Sequence, residues 1–433
     1  MTTGTVFVAT CDLAGQVRGR ATPAARLEHT LRTGVGWVPA NLALSCFGEL
    51  AEDNVFGSVG DLRLIPDPAT AIDIPADEQA PGTRLYLADQ TGLDGARWPG
   101  CPRGFLAAAL DDLKETAGLE VHASFEHEFM LHDQSPAQDT WPPFSFQRLR
   151  GAEPFGTDLV ALLEATGLEP ESWLPEFGDG QFEITLRPAT GLAAADRAVL
   201  LRELVRDLAY RRGRRATFVP IADPAGVGNG VHVHFSLRLA GGGSVMYDAD
   251  APGRLSSTAA RFAAGILRHA GAVVAVTAPN PASYLRLTPH RWSAGGVFLA
   301  ERNREALLRI APTVEIGGAD PAAQLHLEYR AADATANPWL VLGVLVRAGL
   351  AGLAGDEPAR VWPETSTEAD LAGEPPLPGS LPEALAALEA DEVARGWFPH
   401  ELLHTFLTVR RAELATVDGL PTHELCRKVA DVY

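Results

Sequence analysis

The chain has 433 residues, of which 46% are hydrophobic and 21% charged, and a formal net charge of −19. That composition is globular and long enough for two cores, which excludes a disordered or fibrous chain. The negative balance, with no basic patch beyond the short run at 211–215, excludes nucleic acid and an anionic membrane surface as partners.

Residues 1–100 read as short strands, at 5–10, 62–65 and 85–88, parted by Gly, Pro and Asp clusters. Pro102 then opens a helix over 104–116 that Gly118 stops, so the expected division is 1–100 and 101–433. Further on, helical patterns at 192–212, 256–269 and 382–394 interleave with alternating strands. The arginines at 211–215 close the first of these helices, where they offset its dipole. The 355–381 stretch, rich in Pro, Glu and Gly, reads as a surface excursion.

Cys11, Cys46, Cys101 and Cys426 are far apart, form no CxxC pair and read as reduced thiols. No basic segment followed by a long apolar run opens the chain, and no apolar stretch reaches the roughly 18 residues of a membrane span, so a cytoplasmic protein is expected. The apolar segment at 336–354 is interrupted by Asn337, Pro338 and Arg347. There are two lysines, Lys114 and Lys428, and no GxxxxGK, which excludes a P-loop. Phosphate handling therefore falls to arginine, backbone amides or metal.

Four strands repeat one pattern. Side chains two apart share a face. Glu126 and Glu128 oppose Phe125, His127 and Phe129; Gln181, Glu183 and Thr185 oppose Phe182, Ile184 and Leu186. His232, His234 and Ser236 oppose Val231, Val233 and Phe235; His326, Glu328 and Arg330 oppose Leu325, Leu327 and Tyr329. Any one such strand reads as half-buried with a solvated face. Four faces of acids and imidazoles point instead to convergence. Carboxylates about 4 Å apart repel by about 4 kcal/mol at an effective dielectric near 20, which divalent cations relieve. Oxygen-rich ligands with a single imidazole suit Mg²⁺ or Mn²⁺ better than zinc.

These strands lie in motifs that resemble the glutamine synthetase family, in family order along most of the chain. EHEF at 126–129 is similar to its ExEF strand, and EFGDGQFE at 176–183 to its E-x-x-x-GQ-x-E segment. ATFVP at 216–220 and GNGVHVHFS at 228–236 resemble ATFMP and the GxGMHxHxS loop and strand. SYLRL at 283–287, RNR at 302–304 with Arg309, and EYRAADATANP at 328–338 resemble NSYKRL, RNRSxxxR and EFRxPDxxxNPYL.

The resemblance implies an α+β fold: a small N-terminal β-grasp domain, then a large catalytic domain whose antiparallel β funnel is flanked by helices. It implies an ATP-dependent ligase that joins the γ-carboxyl of glutamate to an amine through a γ-glutamyl phosphate. Glu128, Glu176 and Glu183 would hold one Mg²⁺ or Mn²⁺ ion, and Glu126, His232 and Glu328 a second. Gly228, Gly230, Arg286 and Arg330 would position glutamate, and His234 and Ser236 would lie near ATP. Arg304 and Arg309 would meet its phosphates, so that Arg304, Arg309 and Glu183 carry the chemistry. Five acids and two divalent cations leave a formal charge of about −1, which suits a cationic amine. Family members form two stacked hexameric rings, a homododecamer with active sites between subunits, to which Asp53 or Asp61 would lend an acid.

The departures concern the amine. Where the family flap carries glutamate in a PGYEAP-like stretch, this chain has PHRWSA at 289–294, with Trp292 in the place of the acid that holds ammonium. No tyrosine occurs between Leu131 and Glu176, Ile221 replaces a lysine, and His326 stands where arginine is common. An organic amine packed against Trp292 is therefore the expected acceptor. The alternatives are glutamine synthesis from ammonia, a catalytically silent relative, and a metallohydrolase using the same acids. Asp333 and Asn337 read as structural, capping the helix that Pro338 begins.

Overall fold

The computed structural model describes residues 4–133 and 141–433. The N-terminal strands form a six-stranded sheet. Thr5–Cys11 makes an antiparallel hairpin with Val17–Pro23 and lies parallel to Thr83–Thr91. Leu62–Pro66 and Val35–Trp37 continue the sheet beyond Thr83–Thr91, which also pairs with Ile72–Ile74. A parallel pair flanked by antiparallel neighbours, with helix Leu27–Thr33 alongside, is the β-grasp arrangement.

Helix Pro102–Ala117 follows, with proline at its first position, where a missing N–H costs nothing. Gly118 ends it in the left-handed region (φ 68°, ψ 22°). Behind the helix, Arg103 joins the two parts. Its guanidinium, 3% exposed, donates to Asp196 on helix Gly191–Arg211 at 2.9 and 2.8 Å. It also donates to Asp89 at 2.9 Å and Asp67 at 2.7 Å on the N-terminal side. Trp339 Nε1 donates to the same Asp196 at 2.8 Å.

The larger part is built on a ten-stranded sheet. Its path runs Val361–Trp362, Gly296–Glu301, Ala306–Ile310, Leu327–Tyr329, Val231–Leu239, Leu119–Asp133, Gln181–Leu186, Pro170–Pro175. Ala189–Thr190 and Arg214–Thr217 also pair with Leu119–Asp133. The pairs that build the site are antiparallel; the parallel ones lie at the edge around Gly296–Glu301. Buried residues of helices Gly191–Arg211, Ser257–Arg268 and Pro338–Leu353 join the apolar face of this sheet in one large core.

Several elements differ from the sequence reading. The strand expected at 325–330 is only Leu327–Tyr329, because Pro321–Gln324 winds into a helical turn just before it. The helix expected over 382–394 is two, Leu381–Ala390 and Glu392–Arg395. Asp391, extended between them (φ −83°, ψ 98°), caps the second with its side chain. Within 355–381, Val361–Trp362 joins the sheet and Trp362 is buried, so this stretch is only partly a surface excursion. The arginines at 211–215 form more than a dipole cap: Arg211 and Arg212 both pair with Asp77, and Arg215 with Asp431. Asn337 caps its helix, accepting from Trp339 N and Leu340 N, whereas Asp333 instead accepts from Thr335.

The four cysteines are free and buried. Among the described residues, no single helix is long and apolar enough to cross a membrane; Ser257–Arg268 and Ala270–Thr277 pass such a test only together, bent by 77°.

Candidate metal and substrate site

Phe125, His127 and Phe129 are buried in the core, so Glu126 and Glu128 take the opposite face of strand Leu119–Asp133. Strand register then chooses their partners. His232 lies opposite Glu126, Glu183 opposite Glu128, Glu328 opposite His234, and Arg309 opposite Glu328. Opposed residues on antiparallel strands have Cβ atoms about 5 Å apart, so each acid must face another acid, an imidazole or a guanidinium.

Three groups converge. The ligand atoms of Glu128, Glu176 and Glu183 lie within 4.8 Å of one another, as do those of Glu126, Glu183 and His232, and of Glu126, His234 and Glu328. His232 Nδ1 is 2.9 Å from Glu126 Oε1 and 3.8 Å from Glu328 Oε1. Glu128 Oε2 accepts from Gly230 N at 2.6 Å. His326 Nδ1 donates to Gln324 O at 2.7 Å, so its Nε2 accepts from His234 Nδ1 at 3.0 Å. His234 Nε2 then lies 3.2 Å from Glu126 Oε2 without hydrogen-bonding alignment.

Crowding separates the protonation states. Burial, then Glu126 and Glu128, pushes Glu183 up to about 11, and it shares a hydrogen bond with Glu126. Burial and Glu128 push Glu176 up to about 7. Burial opposes ionisation of Glu328 too, but His232 and Arg330 draw it down to about 2. Burial draws His232 down to about 4, so at neutral pH it is an uncharged imidazole whose Nδ1–H donates to Glu126.

The residues fit a pair of hard divalent cations. The donors are carboxylates with one imidazole or none in each group. Burial, and then its acidic neighbours, hold Glu183 protonated, a cost that divalent cations would offset. The buried His232 Nε2 has no hydrogen-bond partner among the described residues.

Beside this cage, Arg286 is buried and, among the described residues, donates only to carbonyl oxygens, those of Ala332 and Arg330, both at 3.3 Å. Two glycines make room for it. A Cβ on Gly230 would stand 2.1 Å from Arg286 Nη2, and one on Gly228 2.8 Å from its Cγ. Neither glycine has a positive φ, so close approach, not turn geometry, requires them. Arg309 donates to Glu328 Oε2 at 2.8 Å, and Arg330 binds the other oxygen of the same carboxylate. Both arginines expected at the substrates are thus also counter-charges for Glu328. Arg304 is exposed and sits 6.0 Å from the Trp292 ring centroid. Ser236 shares its strand face with His232 and His234. Ile221, in the family's lysine position, is packed in a small apolar cluster with Val219 and Ala282.

Sequence reasoning missed three residues that shape the mouth. Arg148 donates to the carbonyls of Glu176, Phe177 and Gly178 at 2.5, 3.0 and 2.9 Å, holding the loop that bears Glu176. Arg291 donates to Gly226 O and Pro224 O at 2.9 and 3.0 Å, tying the segment around Trp292 to a neighbouring loop. Glu305 accepts the amides of His290 and Trp292. Only Glu305 left a signal, as an acid where the RNRSxxxR pattern has serine.

A family profile described as glutamine synthetase, catalytic domain, matches residues 99–427, and one described as glutamine synthetase N-terminal domain matches 4–98. Among curated proteins, gamma-glutamylpolyamine synthetase GlnA3 of Streptomyces coelicolor is 34% identical over 438 aligned residues, covering 96% of this chain and 90% of the relative. Glutamine synthetase of Methanocaldococcus jannaschii is 30% identical over 381, covering 83% and 82%. Among solved structures, one described as a novel glutamine synthase homolog matches with a TM-score of 0.93 at 42% identity, covering 100% of this chain and 99% of that one. A GmaS/ADP complex matches with a TM-score of 0.84 at 26% identity, covering 99% and 97%.

Proposed function

The chain belongs to the glutamine synthetase family, and from that premise we propose that it is an ATP-dependent ligase joining the γ-carboxyl of glutamate to an organic amine. A carboxylate cannot expel oxide when an amine attacks it. The γ-phosphoryl group of ATP is first transferred to the glutamate side chain, and the amine then displaces phosphate from the acyl phosphate. Glu128, Glu176 and Glu183 would hold one divalent cation, Mg²⁺ or Mn²⁺, and Glu126, His232 and Glu328 the other. Such ions supply charge compensation and orientation for carboxylate and phosphate oxygens.

The protein's own groups divide the remaining work. Arg286 has no carboxylate partner among the described residues, which supports a role in meeting a carboxylate of glutamate. Arg330 fixes Glu328 and, through Arg304 O, the turn that carries Arg304. Arg304 makes no ion pair among the described residues, which leaves it available to charge spreading over the phosphoryl group. Arg309 retains an Nε–H without a partner among the described residues for the same purpose. Catalysis in the cytoplasm by a homododecamer of two stacked hexameric rings, with Asp53 or Asp61 completing a neighbour's site, belongs to the same proposal.

Trp292 carries the organic-amine reading. It occupies the position of an ammonium-holding acid, and its indole is 68% exposed beside Arg304. The polyamine-using name of the Streptomyces relative supports it. The test is glutamate-dependent phosphate release with ammonium, methylamine, putrescine and spermidine. We expect an organic amine to exceed ammonium by at least about 10-fold in kcat/KM, the scale set by a few apolar contacts. Ammonium giving the highest kcat/KM would overturn the reading.

A second expected result concerns glutamate. Gly230→Ala must displace the buried Arg286, and KM for glutamate should rise at least about 10-fold, the weight of one charged hydrogen bond. KM for the amine should change far less. Steady-state kinetics in each substrate check this.

A further inference from the structure

Trp292 combines two features that rarely coincide. Its indole is exposed, yet its backbone lies in the left-handed region (φ 54°), as does that of His290 (φ 65°). Bulky L residues adopt that conformation only where their surroundings impose it, and such imposed strain clusters at functional sites.

The imposing group is the Glu305 carboxylate. Its Oε1 accepts from Trp292 N at 3.0 Å and its Oε2 from His290 N at 3.1 Å, while Glu305 O accepts from Gly295 N at 2.8 Å. From the other side, Arg330 Nη2 donates to Trp292 O at 2.9 Å. Asn303 Oδ1 accepts from Glu305 N at 2.9 Å and fixes the residue that bears the carboxylate. Gly295 is small because it must be: a Cβ there would stand 2.5 Å from Glu305 Oε2. Both polar groups of Trp292's main chain are therefore taken, and its ring is left free on a rigid mount beside Arg304.

We propose that Glu305 is a specificity-determining positioning residue: by accepting both amides it fixes the Trp292 indole as the wall that receives the alkyl part of an organic ammonium acceptor. This rests on the organic-amine reading above. A serine at 305 has one short hydroxyl and cannot serve two amides at once, so a chain with serine there would not hold this tryptophan. Glu305 and Trp292 form a matched pair, each of little use without the other.

The experiment is a double-mutant cycle in the full-length enzyme with Glu305→Ser, Trp292→Gly and the combination, read with the best organic amine and with ammonium. Glycine is chosen at 292 because it keeps the left-handed backbone without the ring. Glu305→Ser should raise KM for the organic amine about 10-fold, the scale of losing an apolar wall for one alkyl segment, with kcat at saturating amine and KM for glutamate little changed. Trp292→Gly should show the same loss, and the double variant no further loss. Glu305→Gln, which keeps an acceptor for one amide only, should fall between and serves if the serine variant does not fold. A wild type that prefers organic amines together with an unchanged preference in Glu305→Ser or Glu305→Gln would overturn the proposal, as would additive losses in the double variant. A wild type that prefers ammonium would overturn the acceptor reading first, and this role with it.

Discussion

Glu183→Gln is expected to cut turnover at least about 100-fold and, in the same protein, to stabilise the metal-free fold. The first effect follows from removing a ligand common to two of the converging groups; even partners one shell further out cost about 10–100-fold when lost. The second follows from crowding. The folded carboxyl ionises at about 11, raised from its ordinary 4.5 by burial and then by Glu126. Between those two values the unfolded chain has released a proton that the folded chain still holds, so wild-type stability falls as pH rises through this window. At neutral pH the linkage amounts to about 3 kcal/mol at most. Glutamine does not titrate and keeps a hydrogen-bonding group beside Glu126. In EDTA, the advantage of the variant should be absent near pH 4.5 and grow toward pH 9. Added Mn²⁺ should reverse the order by stabilising the wild type more. Urea midpoints at both pH values, with and without Mn²⁺, measure this. A variant less stable than wild type in EDTA at pH 9 would contradict it.

Arg103→Met is expected to cost about 3–5 kcal/mol, the usual result of removing one partner from a buried ion pair. Asp196 would be left 5% exposed with only the Trp339 indole as donor. Asp67 and Asp89 would lose the cation that ties the N-terminal sheet to helix Gly191–Arg211. Unfolding followed by two probes, one in each part, should become biphasic as the β-grasp part melts early. Adding Asp196→Asn should recover part of the loss by discharging the stranded acid. A single transition at the wild-type midpoint would show that the clamp carries no stability.

Which residues face the cage was legible because strand alternation is a local rule. Phe125, His127 and Phe129 announced the core side, and Glu126 and Glu128 followed by geometry. What faces what was not legible, because register is set by pairings between distant segments. The line Arg309, Glu328, His234 across three strands has no trace in spacing. The break at Asp391 was hidden because the apolar pattern continues across it, and a single cap decides the boundary. The role of Glu305 was not legible because the two amides that its carboxylate accepts, those of His290 and Trp292, lie 15 and 13 residues away in a loop with no periodic signal. Arg148 lies in a six-residue helix, Phe146–Gly151, too short for any periodic signal.

Strand Leu119–Asp133 pairs with segments that all follow it: Gln181–Leu186, Ala189–Thr190, Arg214–Thr217 and Val231–Leu239. During synthesis it therefore waits: one edge stays open until residues 181–190 are made, and the other, which takes Val231–Leu239, is not fully paired until more than a hundred residues have been added. Exposed edges of this kind invite pairing with other chains, so growing chains that end before residue 239 are the aggregation-prone ones and the natural clients of chaperones. Long-range pairing is also slow, because chain entropy is lost before contacts are gained. Most of the cage is assembled from this strand and its partners, so the capacity to bind cations should emerge late in folding and report completion of the native state.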